Sequence, residues 1–229
     1  MSNTTSQRTG PSGDAKRRLP KRRKDERPDE IVEAALQEFS EKGFAGARLE
    51  DVASRAGVSK GLPYLYFKTK EELFKAVLKT FIKPGFDALI AQVDKTDLSA
   101  ADFLRGPFLR FLQDFAKSRR ATVLRLMVAE GHKHPELTRF HMENVVEPGI
   151  AALQRLIDRG VERGEFRPTK LRDYPQLLIA PVLMSVIWRL LFERHRHLDI
   201  DEFLQAHIDL MLQAITAGTS AEEKGERTS

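Results

Sequence analysis

The sequence predicts an all-α fold in two parts, a small three-helix N-terminal unit holding a helix-turn-helix and a larger C-terminal helical bundle. Three observations carry that reading. Apolar residues recur three and four apart along almost the whole chain from residue 28 onward. Period-two alternation, the mark of a half-buried strand, is nowhere sustained. Helix punctuation also recurs, with Ser, Thr or Asp ahead of periodic runs and Gly behind them.

The first helix is predicted over about 28–42. Pro28 suits a first helical turn, and Asp29 and Glu30 follow where the helix dipole favours carboxylates. Ile31, Val32, Ala35, Leu36 and Phe39 then share a face, Gly43 stops the helix, and Phe44 is expected to fold back on its end. A short second helix is predicted over about 49–56, followed by Gly57, which can take the positive φ of a tight interhelical turn. Ser59 is read as the N-cap of a third short helix over about 60–66. Two helices joined by a glycine turn make a helix-turn-helix, whose second helix is the one that enters a DNA major groove. Thr69 and Glu72 form a capping box for a fourth helix, interrupted at Pro84-Gly85. Further helices are expected near 99–118, 120–131, 135–163, 171–195 and 200–217, the last opened by Asp199 and Glu202. Internal Pro107, Pro148 and Pro181 should bend three of them.

Composition narrows the function. The 229 residues contain no cysteine, which excludes disulfides, thiol nucleophiles and thiolate metal sites. The net charge of +5 is concentrated in a tail: residues 1–28 hold nine Lys/Arg against Asp14, Asp25 and Glu26, and the remainder is close to neutral. Residues 1–26, rich in Ser, Thr, Gly, Pro and basic side chains, read as a disordered arm. That arm either adds phosphate or minor-groove contacts or is a solvated tail. The longest uncharged stretch, 174–188, is too short for a membrane span of roughly 20 residues. With no apolar segment behind the basic N-terminal residues, a cytoplasmic protein is expected. His132, His134, His141 and Glu130 offer nitrogen and oxygen ligands, but two of these histidines fall in an expected loop at 131–135, so no metal and no cofactor is expected. No Ser/His/Asp set, glycine-rich phosphate loop or catalytic carboxylate pair can be placed, so an enzyme is not expected. An all-helical metalloenzyme is the alternative from another class.

The segment 49–73, LEDVASRAGVSKGLPYLYFKTKEEL, resembles the DNA-binding signature of the TetR repressor family. The likeness rests on Val52-Ala53, on the run from Ala56 to Gly61, on Tyr64, Tyr66 and Phe67, and on Lys70-Glu71. Residues 123–137 and 145–150 more loosely resemble its AefR-type subgroup. There are two departures. Arg48 stands where the family often has a threonine N-cap, and Leu62-Pro63 replaces a Thr-Leu or Thr-Ile pair, which bears on base readout and on where the recognition helix starts.

The resemblance implies an arm at 1–26, a DNA-binding domain at 27–73, a ligand-binding and dimerisation domain at 74–218 and a disordered tail at 219–229. The DNA-contacting residues would be Arg48, Ser59, Lys60, Gly61, Leu62, Tyr64, Tyr66, Thr69 and Lys70, with Tyr66 and Lys70 clamping the phosphate backbone. A homodimer would form through Leu177, Pro181, Ile187, Leu191, Phe203, Leu204, Ile208, Met211 and Ile215, and would suit a palindromic double-stranded operator with half-sites about 34–36 Å or a multiple apart. A small-molecule effector pocket is expected among Phe81, Phe108, Phe111, Phe115, Met127, Met184 and Trp188, with Arg125, Glu130 or His141 as polar anchors. The expected activity is a repressor released by a largely apolar ligand. A ligand-independent or activating DNA binder is the alternative, and the Pro84-Gly85 break would serve as a pivot.

Overall fold

A computed structural model describes residues 27–216; the expected arm at 1–26 and tail at 219–229 lie outside the described residues. Twelve α-helices are described: α1 (Arg27–Gly46), α2 (Leu49–Arg55), α3 (Leu62–Tyr66), α4 (Lys70–Phe81), α5 (Lys83–Lys95), α6 (Ala100–Phe103), α7 (Leu109–Lys117), α8 (Arg119–Glu130), α9 (Pro135–His141), α10 (Glu147–Glu162), α11 (Gln176–Leu191) and α12 (Ile200–Ile215). The described residues contain no strand, only one isolated antiparallel bridge between Phe166 and Thr216. None of their helices is long and apolar enough to cross a membrane.

Helix α1 does not run smoothly to its end. Gly43 takes φ 71° and ψ 171°, outside the helical region and open essentially to glycine alone. The chain turns there and throws Phe44 back against Phe39 and Phe74, with ring centroids 5.5 and 5.4 Å away. The expected fold-back is present, and these fully enclosed rings centre the small domain. Helix α2 is fastened to α1 by charge. Glu38 is 2% exposed, with Lys42 Nζ 2.5 Å from its Oε1 and Arg55 Nε donating to its Oε2 over 3.0 Å. Lys42 also reaches Asp51 and Arg55 also reaches Glu41, so one buried carboxylate organises four partners.

The second half follows the expected segments with three refinements. The segment expected at 99–118 is two helices joined by a π-turn at Leu104–Phe108, and the one at 135–163 has a second π-turn at Met142–Val146. Each π-turn contains or shortly precedes a proline, Pro107 or Pro148, whose missing N–H and bulky ring break the i→i−4 ladder. The segment expected at 171–195 is shorter. It starts after a 3₁₀ turn at Lys170–Arg172 and ends at Leu191, where the carbonyl of Trp188 accepts from both Phe192 and Glu193.

Pro84 and Gly85 lie in the first turn of α5, and the break itself falls at Ile82, between α4 and α5. Two of the three caps read from the sequence form: Thr69 Oγ1 accepts from Glu72 N over 3.2 Å, and Asp199 Oδ1 accepts from the amides of Asp201 and Glu202.

Candidate nucleic-acid interface and apolar cavity

Helices α2 and α3 meet through a turn in which Gly57 has φ 67°, the left-handed conformation a side chain would strain. Helix α3 starts at Leu62 rather than near Lys60, because Pro63 has no N–H to give and is tolerated only in a first turn. Gly61, not Ser59, therefore occupies the N-cap position, and Ser59 contributes its carbonyl, which accepts from Leu62 N over 2.9 Å. Pro63 is buried, and Leu62 packs half-buried on the core instead of facing out for base readout. The outward face of α3 carries Tyr64 at 45% exposure, Leu65 at 79% and Tyr66 at 38%, with Lys60 and Gly61 exposed just ahead of it. Leu65 is the outward residue that the sequence reading passed over in favour of Leu62. An apolar side chain so exposed on so short a helix can meet a thymine methyl.

Two details were not legible in the sequence. The Tyr64 hydroxyl donates to Glu50 Oε1 over 2.6 Å and latches α3 to α2. That bond holds the Glu50 carboxyl below its ordinary value and pushes the Tyr64 phenol above its own. Lys70 is engaged rather than free as a phosphate clamp. Its Nζ donates to the carbonyls of Ala45 and Ala47 over 3.0 and 3.3 Å and sits 4.7 Å above the Phe44 ring. The lysine thereby satisfies carbonyls at the end of α1. Arg48 occupies the N-cap position of α2 without capping it through its side chain.

The second candidate site is a cavity of about 360 Å³ enclosed by α5, α7, α8, α10 and α11 together with both π-turns. Phe108, Phe111, Phe115, Met127 and His141 line it, with Phe86, Val145, Gly149 and Ile179 among their neighbours. The wall is almost wholly apolar, and its polar side chains are His141 and Gln176. His141 Nδ1 is buried without a hydrogen-bond partner, and burial pushes the imidazole below its ordinary value.

Five residues expected in the pocket lie outside its lining, each held elsewhere. Arg119 lies over Phe81. Arg125 donates to Ser40 Oγ on α1 over 2.8 Å. Glu130 pairs with Lys133. Met184 is exposed on α11, and Trp188 donates its indole N–H to the carbonyl of Arg196 over 2.8 Å.

Helix α8 joins the cavity to the small domain. Val123, Leu124 and Met127 of α8 front the cavity, while Arg125 of the same helix bonds to α1 and Arg119 pairs with Glu33 of α1. His134, just beyond α8, packs edge-on against Phe44 at 4.3 Å. This histidine is an aromatic packing residue between the halves. Among the described residues no three His, Asp or Glu side chains cluster to hold a metal ion.

The expected dimer residues divide by burial. Leu204, Ile208 and Ile215 form the inward stripe of α12 at spacings of four and seven, and Pro181 is buried in α11, so these four belong to the intrachain core. Leu177 and Leu191 are exposed, whereas Ile187, Phe203 and Met211 are half-buried. Leu183, Leu190 and Leu210 are also exposed, and on α11 the exposed apolar residues from Leu177 to Leu191 fall within an arc of roughly 140° at 3.6 residues per turn, with the exposed Arg189 outside it.

Comparison with known proteins agrees with this geometry. Residues 31–77 match bacterial regulatory proteins of the tetR family, and residues 99–211 match the Tetracyclin repressor-like C-terminal domain, together more than two thirds of the chain. The match carries the family without the AefR-type subdivision. The chain is 28% identical to the uncharacterized HTH-type transcriptional regulator YfiR of Bacillus subtilis, over 67% of this chain and 74% of that protein. It is 27% identical to the HTH-type transcriptional repressor DhaR of Mycobacterium sp. strain GP1, over 80% and 90%. Among solved structures, a transcriptional regulator of Saccharomonospora viridis in complex with choline superposes with a TM-score of 0.71 at 19% identity, covering 85% of this chain and 100% of that one. FadR of Bacillus subtilis in complex with stearoyl-CoA does so with 0.68 at 19% identity, covering 82% and 98%. Relatives and fold alike are those of regulators rather than enzymes, and the chain belongs to the TetR family of transcriptional regulators.

Proposed function

We propose that this regulator is a homodimeric repressor that reads a palindromic operator and releases it when a small, largely apolar molecule fills the cavity. Residues 27–73 would then be the DNA-reading unit and residues 74–218 the ligand and dimer unit of a cytoplasmic protein. Arg48, Lys60, Gly61, Tyr64, Leu65 and Tyr66 are the DNA-facing set, with Thr69 contributing at the start of α4. In the free protein Lys70 holds Phe44 and the end of α1, and it is kept as a DNA contact only on the strength of the family likeness.

The observation that carries the reading is the double role of α8, one face of which lines the cavity while the other is bonded to α1. A ligand releases DNA only if it binds the DNA-incompetent conformation more tightly. A molecule pressing on Val123, Leu124 and Met127 acts on the helix that positions the small domain. The break at Ile82, between α4 and α5, is the place where α4 would pivot. The apolar arc of α11, with Leu177, Met184 and Leu191 along one side and Leu183 and Leu190 along the other, is the face offered to a second copy, and Leu210 is exposed on α12. The half-buried Ile187, Phe203 and Met211 would contribute as well. An isologous contact of that kind suits a two-fold operator.

The test is binding of the full chain to its promoter-proximal DNA across a salt series, against a Lys60→Ala/Tyr64→Ala variant. Tight, sequence-selective binding that the variant loses supports the reading. Weak binding, equal on random DNA and indifferent to the two substitutions, overturns it.

A further inference from the structure

The cavity differs from an ordinary packing defect in one respect. Its wall is apolar except at two places, and at one of them a buried nitrogen, Nδ1 of His141, has no partner. A buried polar atom without a hydrogen bond is costly, on the order of 1–3 kcal/mol, so most such atoms are satisfied by protein, water or ligand. His141 immediately precedes the π-turn at Met142–Val146, and His141, Val145, Val146 and Gly149 all front the cavity. Phe108, which ends the other π-turn, fronts it too.

No charged side chain lines the cavity. The guanidinium of Arg120 stacks on Phe111 and Phe115 at 5.4 and 5.5 Å without being part of the lining, and its Nε donates to Ser118 Oγ. Its charge is therefore engaged by the two ring faces. A ligand carboxylate or phosphate buried against this lining would lose its hydration with no cation to receive it.

We infer that the cavity selects an uncharged, mainly apolar molecule bearing one hydroxyl that pairs with Nδ1 of His141. A hydroxyl both donates and accepts, so it satisfies either tautomer of a neutral imidazole. A volume of about 360 Å³ suits a compact molecule, near the low end of the roughly 300–1,000 Å³ typical of ligand sites. Gln176, at the exposed start of α11, stands at the cavity rim and is free to meet the ligand's outer end. The inference rests on the cavity being the effector site.

The test uses the full chain and three matched probes, 4-butylphenol, butylbenzene and 4-butylbenzoate, titrated by calorimetry at neutral pH. The phenol is expected to bind at least about tenfold more tightly than the benzoate, in line with the cost of an unpaired buried charge. In His141→Leu the phenol should lose about tenfold while butylbenzene stays within about threefold, the loss of one hydrogen bond to a buried group. Benzoate binding as tightly as the phenol, or a phenol indifferent to His141→Leu in a variant of unchanged melting temperature, overturns the hydroxyl assignment and leaves the cavity as an effector site. If no probe binds the wild-type chain, the assignment and the effector site fail together. The comparison of phenol with benzoate needs no variant, so poor folding of His141→Leu does not protect the inference.

Discussion

Phe44 and Phe111 sit in opposite kinds of surroundings. Phe44 is enclosed on every side by Phe39, Phe74, His134 and the Lys70 ammonium, and it ties the DNA-reading domain to the helices behind it. Phe111 stacks edge-on against Phe86 at 5.0 Å, carries Arg120 on its ring, and opens toward a cavity of about 360 Å³. Protein interiors are close-packed, and voids much larger than a water molecule are few. One half of the molecule has thus been packed to hold a rigid reading head, and the other has kept space that close packing would otherwise have filled. On the proposed reading, the contrast separates a domain that keeps its shape from one that responds to a ligand.

The largest effect should come from emptying the packed side. Phe44→Ala is expected to destabilise the chain by about 3–5 kcal/mol, as deletion of an enclosed aromatic ring does. Phe111→Ala, beside space that already exists, should cost clearly less. Urea midpoints of the two variants measure the difference, and equal losses would break the comparison. Next comes backbone strain. Gly43→Ala forces a side chain into a glycine-only conformation and points its Cβ at Glu130 Oε1, 3.4 Å away, so about 1–3 kcal/mol should be lost.

Acid should separate the two halves by pH window. Burial holds His141 and His207 below the ordinary histidine value near 6.5, so the unfolded chain takes up protons there that the folded chain refuses. Their contribution to stability is complete above about 6.5 and declines as pH falls beneath it. Glu50 is held below its ordinary 4.5 by the Tyr64 hydroxyl, and Asp51 below its ordinary 3.8 by Lys42. Their contribution is present above those values and is lost at lower pH, as the folded groups at last take up protons. Urea midpoints should therefore fall first as pH drops below about 6.5, a limb that His141→Leu flattens, and again below about 4.5, a limb that Glu50→Gln flattens. A single acid limb insensitive to His141→Leu would remove the distinction.

The smallest change in stability belongs to Leu65→Ala. Its side chain is 79% exposed, so folding should shift by no more than about 0.5 kcal/mol. DNA affinity should nonetheless fall measurably in a gel-shift titration, and unchanged affinity would take Leu65 off the reading face.

The same contrast governs what could be read from the sequence. In the small domain the local signals and the fold coincide. Gly43 and Gly57 announce their positive φ, Thr69 announces a cap, and Ile31, Ala35 and Phe39 announce the face that α1 buries. The misplaced start of α3 came from weighing Ser59 as a cap above the restriction imposed by Pro63. The Glu50–Tyr64 latch joins two helices and leaves no periodic trace. In the large domain the aromatic content was visible, but a ring that fronts a void and a ring that fills a core have the same spacing. Which of Phe81, Phe108 and Phe111 faces the cavity depends on how several helices converge, and the π-turns that end at Phe108 and follow His141 leave no break in hydrophobic pattern. Likewise, Leu204 and Leu210 of α12 are both leucines on an amphipathic helix, and packing against α7 and α11 decides that the first is interior and the second exposed.

The central claim is that the cavity and the reading head are coupled through α8. The direct measurement is the affinity of the full chain for its promoter-proximal DNA with and without a saturating cavity occupant, 4-butylphenol or butylbenzene, whichever calorimetry shows to be bound. The account predicts that the occupant weakens DNA binding by about five- to 150-fold, the usual range for allosteric coupling, and that DNA weakens occupant binding by the same factor. An occupant that binds the cavity and leaves DNA affinity unchanged would contradict it.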